Sequence, residues 1–454
     1  MDEVFISEEM RESHFHIIGS TGEGKSKLLE WLMRNDVDTG NGFVLCDPSE
    51  GMSLGNEVLK YALSKNRKVV VFDYRHFYKY GRMPTFNPLR TGIVNAMDDI
   101  RVLFGVRDAT ETIRIQRYLT AILQVLRKAK RPITDALYFT ERDNPHYMHK
   151  RMDILRKSDP TDRFRLALEE VFQSRAMFMN ELQSTVRRFE TIFHPVLMHV
   201  FSGDQLNFIE LIKQKYIIIL NLYPYREIEQ IHTKLLGISV INEIVTALDI
   251  LRENGWKGIY YLYLDEAGRF VNRNLADALA YKRKTGLRVI VSHQYFKQFE
   301  DPYILDAILN LTKVKIFFNI PSRTDRDLIT KNLYGGDISD RDASWANSDL
   351  PKQTAVVKVG KDSPKRIKIP DVNECNFNVN LKELANQYDR RKDSLASRSG
   401  AEPKHTSDRK GNQAKISNPH KSTEQTGDAK SDKKGKFRSW DSAAMESPQT
   451  DKSK

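Results

Sequence analysis

Of the 454 residues only Cys46 and Cys375 are cysteines, too few for a disulfide framework or a thiolate zinc site. Such sparse usage fits a reducing compartment. No apolar run approaches the roughly 18 consecutive residues that a membrane span needs. The start, MDEVFISEEM, has no basic stretch followed by an apolar one, so no secretory leader is expected. These absences make the cytoplasm the expected location. There is no internal repeat, no His/Cys cluster and no strand-borne Asp/Glu/Lys set, so a nuclease centre within the chain is not expected. What is present, 40% hydrophobic and 29% charged residues, excludes a fibrous or wholly disordered protein. The length suits one large or two medium domains with appendages.

Lys and Arg number 72 against 60 Asp and Glu, a formal net charge of +12. Residues 389–454 hold sixteen basic against ten acidic side chains, so half of the excess lies there. The body is only mildly basic, and a polyanionic partner is compatible with this balance but not established by it. Segment 386–454 is rich in Ser, Lys, Asp and Gly and nearly free of aliphatic residues. It buries too little surface to offset chain entropy and is expected to be a disordered basic tail. Composition leaves open whether such a tail solvates the protein or acts as a nucleic-acid arm.

Short β-rich apolar runs recur at residues 14–18, 42–46, 68–72, 216–220, 259–264, 288–292, 314–320 and 355–359. Several, such as VVVF and IIIL, are apolar at nearly every position, as strands covered on both faces should be. Helical patterns lie between them, at 25–34, 53–64, 232–253 and 275–284. This alternation predicts an α/β fold with a predominantly parallel sheet. The strand rhythm stops between about 91 and 206, where the pattern reads as helices, for example at 114–127 and 163–193. So long a block is no loop. The expected organisation is a first part of the sheet domain at 1–90, an inserted all-helical subdomain at 91–206, the second part at 207–385, and the tail at 386–454.

Gly19-Ser20-Thr21-Gly22-Glu23-Gly24-Lys25-Ser26, followed by Lys27, fits G-x-x-x-x-G-K-[ST] and lies between the apolar run FHII and a helix with Leu28, Leu29, Leu32 and Met33 on one side. That context is what a phosphate-binding loop requires. Glycines let backbone N–H groups wrap the phosphates, the helix N-terminus adds its dipole, Lys25 neutralises the terminal phosphates, and Ser26 ligates Mg²⁺. ATP and Mg²⁺ are therefore the expected ligands. GIYYLYLDEAGRF ends an apolar strand with Asp265 and Glu266. Asp265 is expected to hold the Mg²⁺ shell and Glu266 to orient or deprotonate the attacking water. RVIVSHQ puts Gln294 at the end of the next strand, on the edge where ligands of parallel sheets bind. There it is placed to sense the γ-phosphate, whereas His293 reads as a structural neighbour.

Together these residues resemble the HerA/FtsK division of P-loop ATPases, and most closely the conjugative coupling proteins of the TraG/TraD type. The likeness extends to GFVLCDPSEG with Asp47, Pro48, Glu50 and Gly51, to Asn87-Pro88-Leu89, to STVRRFETIF leading into FSGDQLNFIELIKQKYIIILNL, and to YKRKTGLRVIVSHQ. It spans roughly residues 10–330. What the resemblance implies is a RecA-like P-loop NTPase that hydrolyses ATP as a homo-hexameric ring and pumps DNA through it during conjugative transfer. Each site would be closed by a neighbouring subunit through Arg283, with Arg323 or Arg326 as competing candidates and a plain helix-surface role for Arg283 left open. Secretion-system, relaxase or nuclease partners are implied in the same way. Coupling proteins usually carry N-terminal membrane helices and HerA-type proteins a β-barrel, whereas this sequence begins almost directly at the first strand. A soluble coupling-like ATPase is therefore expected, or one brought to the inner face of the membrane by a partner.

A translocase grips phosphates, and the candidate contacts are Lys282, Arg283 and Lys284, and the cluster Arg127, Lys128, Lys130, Arg131. Each such cluster is more often a solvated face than a DNA contact. Tyr295 and Phe296 are candidates for stacking on bases or for core packing. Two other functions stay open: a HerA-like helicase or translocase partnered with a nuclease, and a secretion- or defence-complex assembly ATPase that does not thread DNA.

Overall fold

Seven of the apolar runs become parallel strands: β1 (Phe15–Ile18), β2 (Phe43–Asp47), β3 (Val69–Phe72), β4 (Ile217–Asn221), β5 (Tyr260–Leu264), β6 (Leu287–His293) and β7 (Val314–Phe317). Antiparallel β8 (Thr354–Val359) and β9 (Lys365–Lys368) extend the sheet beyond β7. The strand order is β3-β4-β2-β5-β6-β1-β7-β8-β9. The computed structural model describes residues 8–92, 109–187, 189, 191–269, 273–299, 301–334 and 350–388. Beyond Tyr388 the expected tail lies outside the described residues. The architecture is the expected α/β one with a mostly parallel sheet.

Both faces of the sheet are covered, which is why the strands are apolar at successive positions. Phe15, Ile17, Phe43, Leu45, Val69, Val71, Ile217 and Ile219 share one core with the helices Lys25–Asp38 and Ser53–Ser64. Val44, Cys46, Val70, Phe72, Ile218, Leu220, Leu262 and Leu264 point the other way, into a core shared with the helix Gln230–Glu253 and the helices that follow β3. The two sets alternate residue by residue, the period of a pleated strand. Each fully buried aliphatic side chain contributes roughly 1.5–3 kcal/mol of transfer free energy.

Between β3 and β4 the described residues form helices and no strand, the longest being Ala109–Lys128, Pro145–Leu155 and Arg163–Gln173. The pattern over 163–193 is not one helix. It breaks at Ser174, whose backbone is extended (φ −110°, ψ 122°) and whose side chain caps a new turn by accepting the Met177 N–H. A π-helical turn, Phe178–Leu182, follows. Among the described residues no helix is long and apolar enough to cross a membrane.

Because β1 to β7 run the same way, their carboxyl ends line up on one edge. Across β3, β4, β2, β5, β6 and β1 that edge carries Asp73, Asn221, Asp47, Asp265, His293 and then Gly19. This polar row is where parallel sheets bind ligands.

Candidate nucleotide site at the carboxyl edge of the sheet

β1 ends at Ile18 and its helix starts at Lys25. The turn between them needs its glycines. Gly22 and Gly24 take φ of 83° and 117°, a region unfavourable for side chains. At Gly19 an added Cβ would lie 2.4 Å from the Phe318 Cβ. The turn is pinned from three sides: Gly19 N–H donates to the His293 carbonyl (3.3 Å), Ser20 N–H to that of Asn319 (3.1 Å), and Gln353 N–H to that of Glu23 (3.0 Å). No side chain caps the helix, and its first turn carries no acid, so its leading N–H groups and dipole favour an anion. Thr21, Gly22, Ser26 and Lys27 are exposed on this turn, and Ser20, Glu23 and Gly24 half-buried.

Lys25 is buried. Its ammonium donates to the carbonyls of Gly19 (2.6 Å) and Ser20 (3.0 Å). Burial pulls its pKa down, against the opposing pull of Glu266, Asp265 and Glu23. The carboxylates after β5 therefore act directly on the lysine of the turn after β1, although β6 stands between the two strands.

Asp265 is buried at the end of β5, its Oδ1 accepting the Ser292 hydroxyl (3.1 Å) and the Glu266 N–H (3.1 Å). Burial pushes its carboxyl up to about 7, reinforced by the charges of Asp47 and Glu266. Glu266 follows with φ of 47°, a left-handed conformation that costs a non-glycine residue roughly 1 kcal/mol or more. The bend turns the carboxylate toward β6, where Gln294 Nε2 donates to Oε1 (2.7 Å). The sequence thus named Lys25, Asp265, Glu266 and Gln294, and the fold brings them to one place.

Two residues of the site have no such sequence signal. Gln298 donates its Nε2 to Glu266 Oε2 (3.2 Å), a contact that depends on the Glu266 bend. Asp47 is fully buried beside Asp265, accepting the N–H groups of Ser49 (2.8 Å) and Gly55 (2.7 Å). It was legible only as part of an Asp-Pro motif. His293 is buried in contact with His16, Nε2 to Nε2 2.7 Å, with rings stacked at 5.0 Å. Burial holds His16 well below the usual range and takes His293 down to about 3. The stacked pair packs on the paired strands β1 and β6.

Arg283 belongs to the 3₁₀ turn Lys282–Thr285, and the side chains of Lys282 and Arg283 lie outside the described residues. Lys284 is exposed. Arg323 is exposed at the start of the helix Arg323–Tyr334, and Arg326 lies one turn in. Of the other basic cluster, Lys128 pairs with Asp162 and Arg131 with Asp135, while Arg127 and Lys130 are exposed. Phe296 packs in the core with Ile18 and Phe317, whereas Tyr295 is 47% exposed.

Among the described residues no group of three or more His, Cys, Asp or Glu is arranged to hold a metal. The residues fit Mg²⁺ in another manner. Magnesium at phosphate sites takes few protein oxygens, and Ser26 with Asp265 would be the ones to hold it. The buried crowding of Asp265 with Asp47 and Glu266 is charge that a divalent cation relieves.

Residues 260–359, from β5 to the end of β8, match the family described as the TraM recognition site of TraD and TraG. No curated protein matches the chain in sequence. Solved structures that share the fold include the following. The plasmid coupling protein TrwB in complex with the non-hydrolysable ATP analogue ADPNP is 17% identical, with a TM-score of 0.54 over 82% of this chain and 88% of that one. TrwB in complex with ADP and Mg²⁺ is 17% identical, with a TM-score of 0.51 over the same shares. VirB4 of Thermoanaerobacter pseudethanolicus is 15% identical, with a TM-score of 0.52 over 79% of this chain and 89% of that one. In fold, and in the segment from β5 to β8, the chain is similar to the TraG/TraD-type conjugative coupling proteins.

Proposed function

We propose that the chain is an ATP-hydrolysing, DNA-translocating motor of the conjugative coupling-protein type, working as a homo-hexameric ring on the cytoplasmic side of the membrane. The observation that carries this reading is the arrangement around Lys25: a glycine turn whose carbonyls hold the ammonium, and two strand-end carboxylates whose charges act on it. The fold shared with TrwB, which binds ADPNP and binds ADP with Mg²⁺, supports triphosphate as the substrate.

In this reading the N–H groups of Thr21 to Ser26 cradle the phosphates, and Lys25 exchanges its carbonyl partners for phosphate oxygens. Ser26 and Asp265 would hold Mg²⁺, which would supply charge neutralisation of the phosphates. Glu266 takes the proton of the attacking water at a carboxylate oxygen. Gln294 reports the state of the site, because one amide reaches Glu266 from the turn after β6 that also carries the exposed Tyr295. Arg283 of one subunit would complete its neighbour's site. The helical segment 91–206 would serve as an inserted subdomain that engages DNA or the partner that delivers it, with Arg127 and Lys130 available to phosphates.

The test is the steady-state ATPase rate with and without DNA, for the wild type, Lys25→Ala and Glu266→Gln. The reading expects DNA to raise wild-type turnover and both variants to lose it. A rate indifferent to DNA, with both variants at wild-type turnover, overturns the motor.

A further inference from the structure

Three features converge on the turn after β6. The backbone of Glu266 is bent into the left-handed region, which delivers its carboxylate to that turn. Gly268, two residues on, has no room for a side chain, since an added Cβ would meet the Gln298 Cβ at 2.5 Å and its carbonyl oxygen at 2.9 Å. The glycine is what lets Gln298 come so close. Gln298 then uses both ends of its amide. Its Nε2 donates to Glu266 Oε2 (3.2 Å), and its Oε1 accepts the backbone N–H groups of Gln294 (2.8 Å) and Tyr295 (3.4 Å).

We propose that Gln298 is a positioning residue for hydrolysis, holding the second oxygen of the Glu266 carboxylate and, through the Gln294 backbone, the amide that holds the first. The inference rests on the hydrolytic reading above and deepens it. A carboxylate gripped at one oxygen by a long side chain swings about that bond, whereas gripped at both it has one orientation. Of the charged groups, Glu266 acts most strongly on the Lys25 ammonium. A proton acceptor is useful only within hydrogen-bond reach of its proton, and a misplacement of about 1 Å can cost on the order of a hundred-fold in rate. Because Gln298 also secures the Gln294 main chain, displacing one amide disturbs the other, and the two glutamines and the glutamate move as a unit.

Gln298→Glu separates this role from a structural one. The new carboxylate still accepts the N–H groups of Gln294 and Tyr295, so the turn is kept, but it meets Glu266 with an acceptor where the amide donated. Three quantities are measured: the single-turnover hydrolysis rate of bound Mg-ATP, the affinity for a fluorescent ATP analogue, and the melting temperature. A fall in rate on the order of ten- to a hundred-fold, with affinity and melting temperature close to wild type, is the expected result, and Gln298→Ala should fall in the same way. A wild-type rate in Gln298→Glu overturns the inference and leaves hydrolysis standing. Loss of affinity in parallel with rate also overturns it, since the residue would then act on binding. If the wild type itself does not hydrolyse ATP, the failure lies with the hydrolytic reading.

Discussion

Asp265 and Asp47 end neighbouring parallel strands side by side, the Asp265 N–H donating to the carbonyl of Cys46 at 3.2 Å. Burial, and then repulsion from Asp47 and Glu266, pushes Asp265 up to about 7. The sheet thus stores electrostatic strain where the proposed cation is to bind.

Asp265→Asn should make the protein more stable while removing hydrolysis. The folded-state pKa lies above the ordinary carboxyl value of 3.8, so the stability associated with the protonated group is complete below about pH 4 and is lost as pH rises through 7. The asparagine variant escapes that loss. Relative to wild type, it should gain about 2–3 kcal/mol between pH 5 and pH 8 in urea unfolding without Mg²⁺. An unchanged difference between the two pH values contradicts the crowded-carboxyl account.

His16 and His293 titrate in the opposite sense. Both are held below the ordinary imidazole value, so their contribution is present above about pH 6.5 and is lost as pH falls toward the folded-state value. His16→Phe should therefore become less destabilising, relative to wild type, as pH falls from 7 to 5. Equilibrium unfolding at the two pH values reads this directly, and a pH-independent difference goes against burial of a neutral pair.

Gly19→Ala sets the new Cβ against Phe318 at 2.4 Å. The phosphate turn must shift, at a cost of about 1–3 kcal/mol in stability, and binding of an ATP analogue should weaken at least about ten-fold, which corresponds to about 1.4 kcal/mol. Adding Phe318→Ala should not restore it, because the clash is with the Cβ that alanine keeps. Titration calorimetry on the single and double variants decides this, and rescue by Phe318→Ala would show that the ring, not the main-chain approach, sets the fit.

Much of this architecture was written in local pattern. Eight strands were visible as apolar runs, and the phosphate turn was visible because its glycines, lysine and serine sit between a strand and a helix. β9 was not visible, since Lys365–Lys368 contains one apolar residue, Ile367, and is a strand only because β8 offers it a ladder. The break at Ser174 was hidden for a related reason: an amphipathic pattern continues through a cap that only backbone geometry reveals. Gln298 could not be read from spacing. Its role follows from the positive φ of Glu266 and the missing side chain of Gly268, which become contacts only once β5 and β6 are adjacent.

The central claim is that the turn at Gly19 to Ser26 and the carboxylates Asp265 and Glu266 form one pocket that cleaves a triphosphate. The most direct measurement is a single-turnover assay with radiolabelled Mg-ATP on wild type and Glu266→Gln. Wild type should convert bound ATP to ADP, while Glu266→Gln should bind with similar affinity and keep the nucleotide intact. Cleavage by Glu266→Gln at the wild-type rate would contradict the account.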